Sequence, residues 1–414
     1  MSEPGTTIEL ERPLPPGSRI GILGGGQLGR MLAMAAARLG FHCHIYSDIA
    51  APPAAQVSER LTVGGYDDLE ALAAFADNVD VITYEFENVP VAAAAHLSAH
   101  RPVSPPPRAL AVAQDRLTEK DFISGLSIAV APYSKIDSTE PLPACVDDLL
   151  PGIIKTRRLG YDGKGQIPVM TRGDLEAACR SLSGSPLILE QKIDFAFEVS
   201  ILVARGADGT LAFYDIPRNE HRGGILRRST VTDEIVTPDV AAQARVIGQR
   251  IAEALDYVGV LAVELFVEAE GKVPSLRVNE IAPRVHNSGH WTMDACATDQ
   301  FENHIRAICR WPLGPTTRRQ DIEMVNLIGD DVSRWPEIAS DGEAKLHLYG
   351  KDEGREGRKM GHVNRVIPSA GSAGSLVSGA LQHDIEAPEP WTLGSGVGLD
   401  QHQFHGCSAG TCPV

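Results

Sequence analysis

Two acidic residues, Glu264 and Glu280, interrupt two apolar segments late in the chain. The segments 260–267 and 276–281 are rich in β-branched and other apolar residues, a composition typical of strands. Residues 270–272, Glu-Gly-Lys, have turn chemistry, so the pattern predicts a β-hairpin. Both carboxylates would then project from neighbouring strands onto one patch, and the fold must contain a sheet that carries this polar patch.

A divalent cation explains two acids in apolar strands. Mg²⁺ prefers oxygen ligands and is usually shared between one or two carboxylates and the phosphates of a nucleotide. We therefore interpret Glu264 and Glu280 as metal ligands, with Asn279 as a neutral oxygen donor. The alternative is that each glutamate lies at a solvated strand end. The polar run at 284–290, Arg-Val-His-Asn-Ser-Gly-His, follows at once and favours a site.

A glycine-rich segment at 160–166 predicts a phosphate-binding loop. It contains three glycines and Lys164, and it follows an apolar run that ends at Lys155. Glycines let backbone N–H groups approach phosphates, although the spacing matches neither a Walker A loop nor a kinase loop. Alone, the segment is equally compatible with a mobile surface turn. The predicted strand 186–193 would offer backbone groups to an adenine edge, and Glu198 would accept hydrogen bonds from a ribose.

Near the N-terminus, Gly24, Gly26 and Gly29 follow the predicted strand 19–23, with Asp48 further on. This spacing fits a dinucleotide-binding fingerprint, so an NAD(P)-dependent oxidoreductase is one interpretation. The same turn fits a substrate phosphate at a helix start. The oxidoreductase hypothesis leaves the hairpin carboxylates, the second glycine loop and the apolar-flanked lysine unexplained.

In their order, these segments resemble the ATP-grasp carboxylate–amine ligases, and among them the family of N5-carboxyaminoimidazole ribonucleotide synthetases. The Arg-Val-His-Asn-Ser-Gly-His-Trp run is the most specific motif. The resemblance extends from about residue 18 to about residue 368, and its motifs lie at 24–32, 84–87, 115–120, 160–166, 190–193, 278–291 and 357–362.

The resemblance implies a fold of the α/β and α+β classes, the ATP-grasp fold. It has an N-terminal Rossmann-like domain with a parallel sheet, a lid subdomain and a small, β-rich C-terminal domain. The expected boundaries are 18–113, 114–305 with a lid at about 150–200, and 306–368. The Gly- and Ser-rich segment 369–414 departs from the family and is expected to be disordered.

The activity implied by the resemblance is ATP- and bicarbonate-dependent carboxylation of the exocyclic amine of 5-aminoimidazole ribonucleotide, a step of purine biosynthesis. Phosphorylation turns bicarbonate, a poor electrophile, into carboxyphosphate, which a closed site must protect from water. A related ATP-grasp activity, formate-dependent formylation of glycinamide ribonucleotide, is an alternative. A nonenzymatic binding module would keep the adenine pocket but lose the paired acids.

The resemblance also implies site residues. ATP is expected to contact Arg116, Lys155, Gly160, Tyr161, Asp162, Gly163, Lys164, Gly165, Gln166, Glu190, Gln191, Lys192, Ile193, Glu198, His221, Asn279 and Glu280. Mg²⁺, or Mn²⁺, is expected on Glu264 and Glu280. The reacting centre is expected to involve Asp162, Lys164, Arg284, His286 and Asn287. The ribonucleotide is expected to contact Gln27, Leu28, Glu85, Lys351 and Arg358. Arg284 suits an anion because its guanidinium binds in a bidentate fashion, and His286 is a candidate proton shuttle.

Composition narrows the partners. A formal charge of −16 argues against nucleic acid, and no apolar stretch approaches the length of a membrane helix. The N-terminus does not resemble a signal peptide, so we expect a cytoplasmic protein, and the resemblance implies a homodimer. Seven scattered cysteines favour reduced thiols. A zinc site in the tail is an alternative, but the spacing fits no compact site for His402, His405, Cys407 and Cys412.

Overall fold

Three β-sheets organise the part of the chain that the computed structural model describes, residues 8–137, 140–160, 165–268 and 274–368. The fold is of the predicted class, with mixed α/β content. The expected disordered tail, the alternative zinc site within it and the predicted hairpin turn at 270–272 lie outside the described residues. Within them, no helix combines the length and apolarity that a membrane span requires.

The first sheet is parallel, as predicted, with strand order β3-β2-β1-β4. β1, β2 and β4 are almost entirely buried, as expected for parallel strands that helices cover, whereas β3 is partly exposed. Parallel strands end at the same edge, so the loop after β1 meets the residues after β4. The elements are β1 Arg19–Leu23, α1 Gln27–Arg38, β2 His42–Ser47, β3 Arg60–Val63, α2 Leu69–Ala76, β4 Val81–Tyr84, α3 Val91–Ser98 and α4 Pro107–Ala113.

The second sheet is antiparallel, with order β5-β8-β6-β7, and forms its own small core around Ile154, Leu175 and Leu189. Strands β6, β7 and β8 lie within the segment predicted as a lid, about 150–200, whereas β5 lies before it. Asp115 caps the helix that precedes it by accepting hydrogen bonds from the next backbone amides. The elements are α5 Arg116–Gly125, β5 Tyr133–Ile136, β6 Gly152–Thr156, β7 Gln166–Val169, α6 Arg172–Ser181 and β8 Leu187–Gln191.

The third sheet holds most of the candidate site residues. Its order is β14-β13-β9-β11-β12-β15-β17-β16, with β10 paired to β9. The strands after residue 306 thus continue the central sheet through the β12–β15 pair. The elements are β9 Phe197–Arg205, β10 Leu211–Phe213, β11 Arg218–Arg222, β12 Ile225–Val231, α7 Pro238–Ala254, β13 Gly259–Glu268, β14 Ser275–Ala282, α8 Thr292–Ala295, α9 Gln300–Ile308, β15 Ile322–Ile328, α10 Trp335–Ser340, β16 Lys345–Leu348 and β17 Lys359–Val366.

The predicted hairpin pairing is confirmed, and it contains a β-bulge. Glu264 lies opposite Glu280, but the next pair is Leu265 with Val278, so Asn279 is an extra residue in β14. A bulge re-aims side chains by breaking the alternation of a strand. Both Asn279 and Glu280 are consequently half-buried instead of alternating between core and solvent. Glu280 thereby lies opposite Glu264, with Asn279 directly before it in the bulge.

Candidate active site

The carboxylate of Glu264 lies among imidazole and carboxylate groups from three other parts of the central sheet and its loops. Its Oε1 is 3.0 Å from Nε2 of His286. Glu198 and His221, on β9 and β11, are themselves 2.8 Å apart and offer ligand atoms within 4.8 Å of one another and of Glu264. Burial opposes its ionisation, but His286 and then His221 hold the pKa of Glu264 at about 2. The oxygen is therefore a charged acceptor suited to a cation.

Glu280 has a different partner. Its Oε2 lies 3.1 Å from Nη1 of Arg116, at the start of α5, and Nη2 of the same guanidinium donates to the backbone carbonyl of Gly160 at 2.9 Å. At the other end of that loop, Gly165 has φ +69° and its carbonyl accepts from the amide of Thr156 at 2.8 Å. Arg116 thus connects the predicted metal hairpin with the predicted phosphate loop.

A buried cluster of two lysines and one carboxylate lies where the lid sheet meets β14. Nζ of Lys155 is 3.0 Å and Nζ of Lys120 is 3.2 Å from Oε2 of Glu190. Burial opposes ionisation of the acid, yet these lysines hold the pKa of Glu190 at about 2. Lys120 also donates to the carbonyl of Asn279 at 3.0 Å. Two cations against one anion leave net positive charge, which suits a polyphosphate.

Lys120 and its neighbour Glu119 are site residues that sequence reasoning did not assign, although both lie in a motif it used. Oε1 of Glu119 accepts a hydrogen bond from the amide of Ile281 at 2.7 Å. Burial, and then the charge of Glu280, raise the pKa of Glu119 to about 8. The signal available in the sequence was an acidic and a basic residue, Glu119 and Lys120, side by side in the first turns of a helix.

The N-terminal glycine loop is occupied by a side chain of its own domain. Glu85, directly after β4, accepts hydrogen bonds from the amides of Gly26 and Gly29, the latter at 2.7 Å. A Cβ on Gly26 would lie 2.6 Å from Oε1 of Glu85, and one on Gly24 would lie 2.5 Å from its Cγ. The glycines are therefore required by the close approach of a carboxylate.

This arrangement argues against the dinucleotide interpretation, because a pyrophosphate needs those amides and Glu85 would repel it. The two predicted ribonucleotide contacts Gln27 and Leu28 are the first residues of α1. They lie between the two amides that Glu85 uses. The loop can thus present their backbone and side chains beside a buried carboxylate.

Arg284 lies at the junction between the N-terminal domain and the central sheet. Its Nε donates to Oε2 of Glu87, and its Nη1 donates to the carbonyl of Val285 at 3.1 Å. Burial opposes ionisation of Glu87, but Arg284 holds the pKa of that carboxyl at about 2. The guanidinium predicted to bind an anion is therefore already paired, and Glu87 is a site residue that the prediction omitted.

The loop after β14 places its two predicted polar residues in different surroundings. His286 contacts Glu264 through Nε2, and its Nδ1 lies 2.8 Å from Oγ of Ser288. Asn287 instead makes a reciprocal pair with Asn326, at 2.9 and 2.7 Å. Both polar atoms of the Asn287 side chain are engaged there, and its expected role at the reacting centre stays a prediction. This pair anchors the loop to β15.

Of the late cationic residues, Lys351 lies near the glycine loop. Burial raises the pKa of Glu85, and the amides of Gly29 and Gly26 and then the charge of Lys351 oppose that rise, so Lys351 lies close to this carboxylate. Next to it, Gly350 has φ +71° and its carbonyl accepts from Nε2 of Gln56 at 2.7 Å. Arg358 donates to the carbonyl of Glu353 at 3.0 Å. The segment between β16 and β17 is thus connected to the N-terminal domain by the hydrogen bond between Gln56 and Gly350.

The remaining predicted contacts are placed by the lid sheet. Gln166 begins β7 and Gln191 ends β8, with Lys192 and Ile193 directly after it. The amide of Lys192 donates to the carbonyl of Pro151 at 2.9 Å. Four predicted residues lie outside the described part of the chain: Tyr161, Asp162, Gly163 and Lys164.

An antiparallel lid sheet, a central sheet that carries paired carboxylates and a preceding parallel domain together define the class of ATP-grasp enzymes. Family models agree with this architecture. The ribonucleotide synthetase preATP-grasp domain matches residues 18–114, the ATP-grasp domain matches 121–301, and the phosphoribosylaminoimidazole carboxylase C-terminal domain matches 323–375.

Individual relatives narrow the class. The N5-carboxyaminoimidazole ribonucleotide synthase of Brucella melitensis is 51% identical over 358 residues, which cover 86% of this chain and 98% of the relative. A crystal structure of an ADP complex of N5-carboxyaminoimidazole ribonucleotide synthetase superposes with a TM-score of 0.82 at 38% identity, covering 86% of this chain and 94% of the other. The chain belongs to the family of N5-carboxyaminoimidazole ribonucleotide synthases, which are ATP-grasp ligases.

One more solved structure bears on the substrate. The N5-carboxyaminoimidazole synthase of Aspergillus clavatus, in complex with ADP and 5-aminoimidazole ribonucleotide, superposes with a TM-score of 0.78 at 28% identity. The match covers 86% of this chain and 95% of that one. The comparisons support neither the formylating ligase nor the oxidoreductase.

Proposed function

We propose that this chain binds ATP, bicarbonate and 5-aminoimidazole ribonucleotide and joins the carboxyl group to the exocyclic amine of the ribonucleotide. The observation that carries the proposal is the position of the segment 284–288. It contacts Glu87, beside the N-terminal glycine loop, and Glu264, on the carboxylate hairpin. One loop thus joins the proposed ribonucleotide side of the site to the proposed ATP side.

On the ATP side, the buried Lys120–Lys155–Glu190 cluster supports phosphate binding, because its net charge is positive. Arg116 would contact the phosphates and draw the loop 160–166 over them, since it already binds the carbonyl of Gly160. The residues 190–193 would line the adenine. Glu198 and His221, paired on adjacent strands, would bind the ribose.

The hairpin fits a hard divalent cation. Glu264 and Glu280 are cross-strand neighbours, and Asn279 lies in the bulge next to Glu280, where its amide oxygen would add a ligand. We propose that these residues hold Mg²⁺, or Mn²⁺, which when bound would neutralise the charge of the transferred phosphoryl group. Glu280 would then exchange its contact with Arg116 for the cation and free the guanidinium for a phosphate.

On the ribonucleotide side, the segment Gln27-Leu28 and the cations Lys351 and Arg358 would bind the 5′-phosphate, and Glu85 would face the ribose. Arg284 would leave or share Glu87 to bind bicarbonate and then carboxyphosphate, since both carry oxyanion groups that a guanidinium binds in a bidentate fashion. Asp162 and Lys164, which lie outside the described residues, are proposed to complete this centre.

In the proposed reaction, an oxygen of bicarbonate attacks the γ-phosphorus of ATP and ADP leaves. The amine nitrogen then attacks the carboxyl carbon of carboxyphosphate, the carbon–oxygen bond to phosphate breaks, and the departing phosphate takes the amine proton. The residues contribute position, positive charge and exclusion of water.

We propose that the three domains that build this site span residues 18–113, 114–305 and 306–368. We also propose that the enzyme acts as a cytoplasmic homodimer.

Release of ADP by the purified protein tests the proposal, measured with Mg²⁺-ATP and bicarbonate, with and without 5-aminoimidazole ribonucleotide. We expect strong stimulation by the ribonucleotide and formation of a carboxylated product. Arg284→Ala is expected to lose carboxylation while it keeps ATP binding. ATP binding without stimulation by this ribonucleotide would refute the proposed substrate.

A further inference from the structure

A buried row of polar side chains connects the loop residue His286 to three strands behind the site. From His286, it continues through Ser288 and then Ser200 on β9, whose hydroxyl oxygens are 2.6 Å apart. Nδ2 of Asn219, on β11, donates to Oγ of Ser200 at 3.0 Å. The hydroxyl of Ser229, on β12, donates to Oδ1 of Asn219 at 2.8 Å. We name these four residues, Ser288, Ser200, Asn219 and Ser229, the serine–asparagine chain.

The serine–asparagine chain is shielded from solvent. Ser200, Ser229 and Ser288 are fully buried, and Asn219 is 5% exposed. A buried hydroxyl without a partner costs free energy, so such groups persist only where their hydrogen bonds are satisfied. Each side chain of the serine–asparagine chain therefore keeps fixed hydrogen-bond partners. The direction of each of these hydrogen bonds can be assigned.

The direction begins at a group that can only donate. The backbone amide of Ser288 donates to Nδ1 of His286 at 3.3 Å, so Nδ1 must carry a lone pair. The hydroxyl of Ser288 then also donates to Nδ1, and it accepts from the hydroxyl of Ser200. Ser200 in turn accepts from the amide nitrogen of Asn219. Every donor in the row points toward His286.

The opposite nitrogen follows from this assignment. A neutral imidazole with a lone pair on Nδ1 carries its proton on Nε2. Nε2 lies 3.0 Å from Oε1 of Glu264, so the ring donates to that carboxylate. Reversing the amide of Asn219 would turn the hydroxyl protons away and leave two lone pairs facing each other at Nδ1 and Ser288. The observed contacts thus favour one tautomer.

We infer that the serine–asparagine chain is a positioning device that holds His286 in its Nε2–H tautomer, so that the ring holds the carboxylate of Glu264 in place. Ser288, Ser200 and Asn219 act through His286 and touch no substrate. This inference rests on the proposed function for the role of Glu264. It also differs from the proton shuttle that the sequence predicted for His286, because neither ring nitrogen is left to accept a proton from a substrate.

Partners behind a metal-binding side chain commonly change metal affinity or activity by about 10- to 100-fold when they are removed. We therefore expect Ser288→Ala and Ser200→Ala to raise the Mg²⁺ concentration for half-maximal ADP release by about 10-fold. The KM for the ribonucleotide should change by less than about twofold, because the serine–asparagine chain lies on the proposed ATP side of the site. Ser229→Ala, at the far end, should have the smallest effect of the three.

A direct readout does not depend on turnover. In protein labelled with ¹⁵N-histidine, the ring signals of His286, assigned by their loss in His286→Gln, should show a protonated Nε2 and an unprotonated Nδ1. In Ser288→Ala the backbone amide of residue 288 still donates to Nδ1, so the ring signals of His286 should broaden or shift only partly toward the other tautomer. Ser58→Ala removes a half-buried hydroxyl that donates to the carbonyl of Ala54 in the N-terminal domain, and it should change neither measurement.

The outcomes separate the two proposals. If wild-type protein shows no ADP release with the ribonucleotide but His286 shows the expected tautomer, the proposed function fails and the positioning device stands. If Nδ1 of His286 carries the proton in the wild type, the inference is wrong. It is also wrong if Ser288→Ala and Ser200→Ala keep the wild-type Mg²⁺ dependence and slow only the transfer to the ribonucleotide, since a shuttle would give that result.

Discussion

The carboxylate hairpin and the N-terminal glycine loop both hold acidic side chains of the candidate site, but the sequence indicates the two arrangements very differently. In the hairpin, Glu264 and Glu280 are brought together by pairing of two strands that are adjacent in the chain. In the glycine loop, Gly26 and Gly29 meet Glu85, which lies more than fifty residues away. A local pattern predicts the first arrangement, whereas the second depends on strand order in a sheet.

The comparison teaches that a glycine spacing reports how closely something approaches a backbone, and leaves open what approaches it. Here the approaching group is a carboxylate of the same domain, so a motif that resembles a dinucleotide fingerprint belongs to another class of enzyme. The paired acids of the hairpin are a more specific indicator of a binding site than the glycine spacing, because two charged groups on apolar strands need a compensating partner.

The largest effect is expected from Glu280→Ala. Removing a proposed metal ligand that also faces Arg116 should lower ADP formation by at least about 10²-fold. Glu268→Ala is a matched control on the same hairpin, since Glu268 pairs with Arg277 at 3.1 Å and has no proposed role in the site. ADP release under saturating Mg²⁺-ATP and bicarbonate compares the two. Normal turnover by Glu280→Ala would show that the metal assignment is wrong.

Glu85→Gln tests the other region. The glutamine amide can accept from only one of the two backbone amides, Gly26 and Gly29, because its N–H group faces the other. One buried hydrogen bond is therefore lost, which should lower the free energy of unfolding by about 2 kcal/mol. The KM for the ribonucleotide should rise by about 10-fold, because this interaction shapes its proposed site. Urea unfolding and initial rates measure the two effects.

The same variant sharpens the comparison between the two interpretations of the loop. If Glu85→Gln acquired tight binding of NAD(H) with an unchanged KM for the ribonucleotide, the loop would be a dinucleotide site masked by its own carboxylate. The variant is titrated with NADH, and binding is followed by the fluorescence of NADH. We expect that no such binding develops.

A smaller effect is expected at His304, which connects the two regions. The amide of Val260, on β13, donates to its Nδ1 at 3.1 Å, and its Nε2 lies 2.8 Å from Oγ1 of Thr83, on β4. Burial lowers the pKa of His304 from 6.5 to about 3. The unfolded chain therefore binds this proton first as the pH falls, and folding loses stability between pH 6.5 and pH 3.

At pH 5 this linkage amounts to about 2 kcal/mol in the free energy of unfolding, relative to neutral pH. His304→Gln, whose amide has a donor and an acceptor but does not titrate, should show a shallower loss of stability between pH 7 and pH 5. Urea midpoints of both proteins across this range provide the check. Parallel pH profiles would mean that other groups, such as His44, dominate the acid sensitivity.

The proposed fold was accessible to sequence reasoning wherever the signal was periodic and local. Strand β1 and the two hairpin strands were predicted close to their observed limits, because each is a short apolar run. The bulge at Asn279 was not, since an extra residue in one strand leaves no trace in composition. Lys120 and Glu119 were overlooked as site residues because a charged pair on a helix normally faces water.

By itself, the sequence determined the class of the fold, its family and the presence of an acidic hairpin, since these follow from patterns of apolar residues and from motifs read in order. Only the tertiary structure decided which groups are partners. It placed Glu85 on the glycine loop, Glu87 on Arg284, Asn326 on Asn287, and a row of buried serines behind His286. The reason is physical: a buried polar group must find its hydrogen-bond partner in space, and the partner's distance along the chain does not affect the energy of the bond.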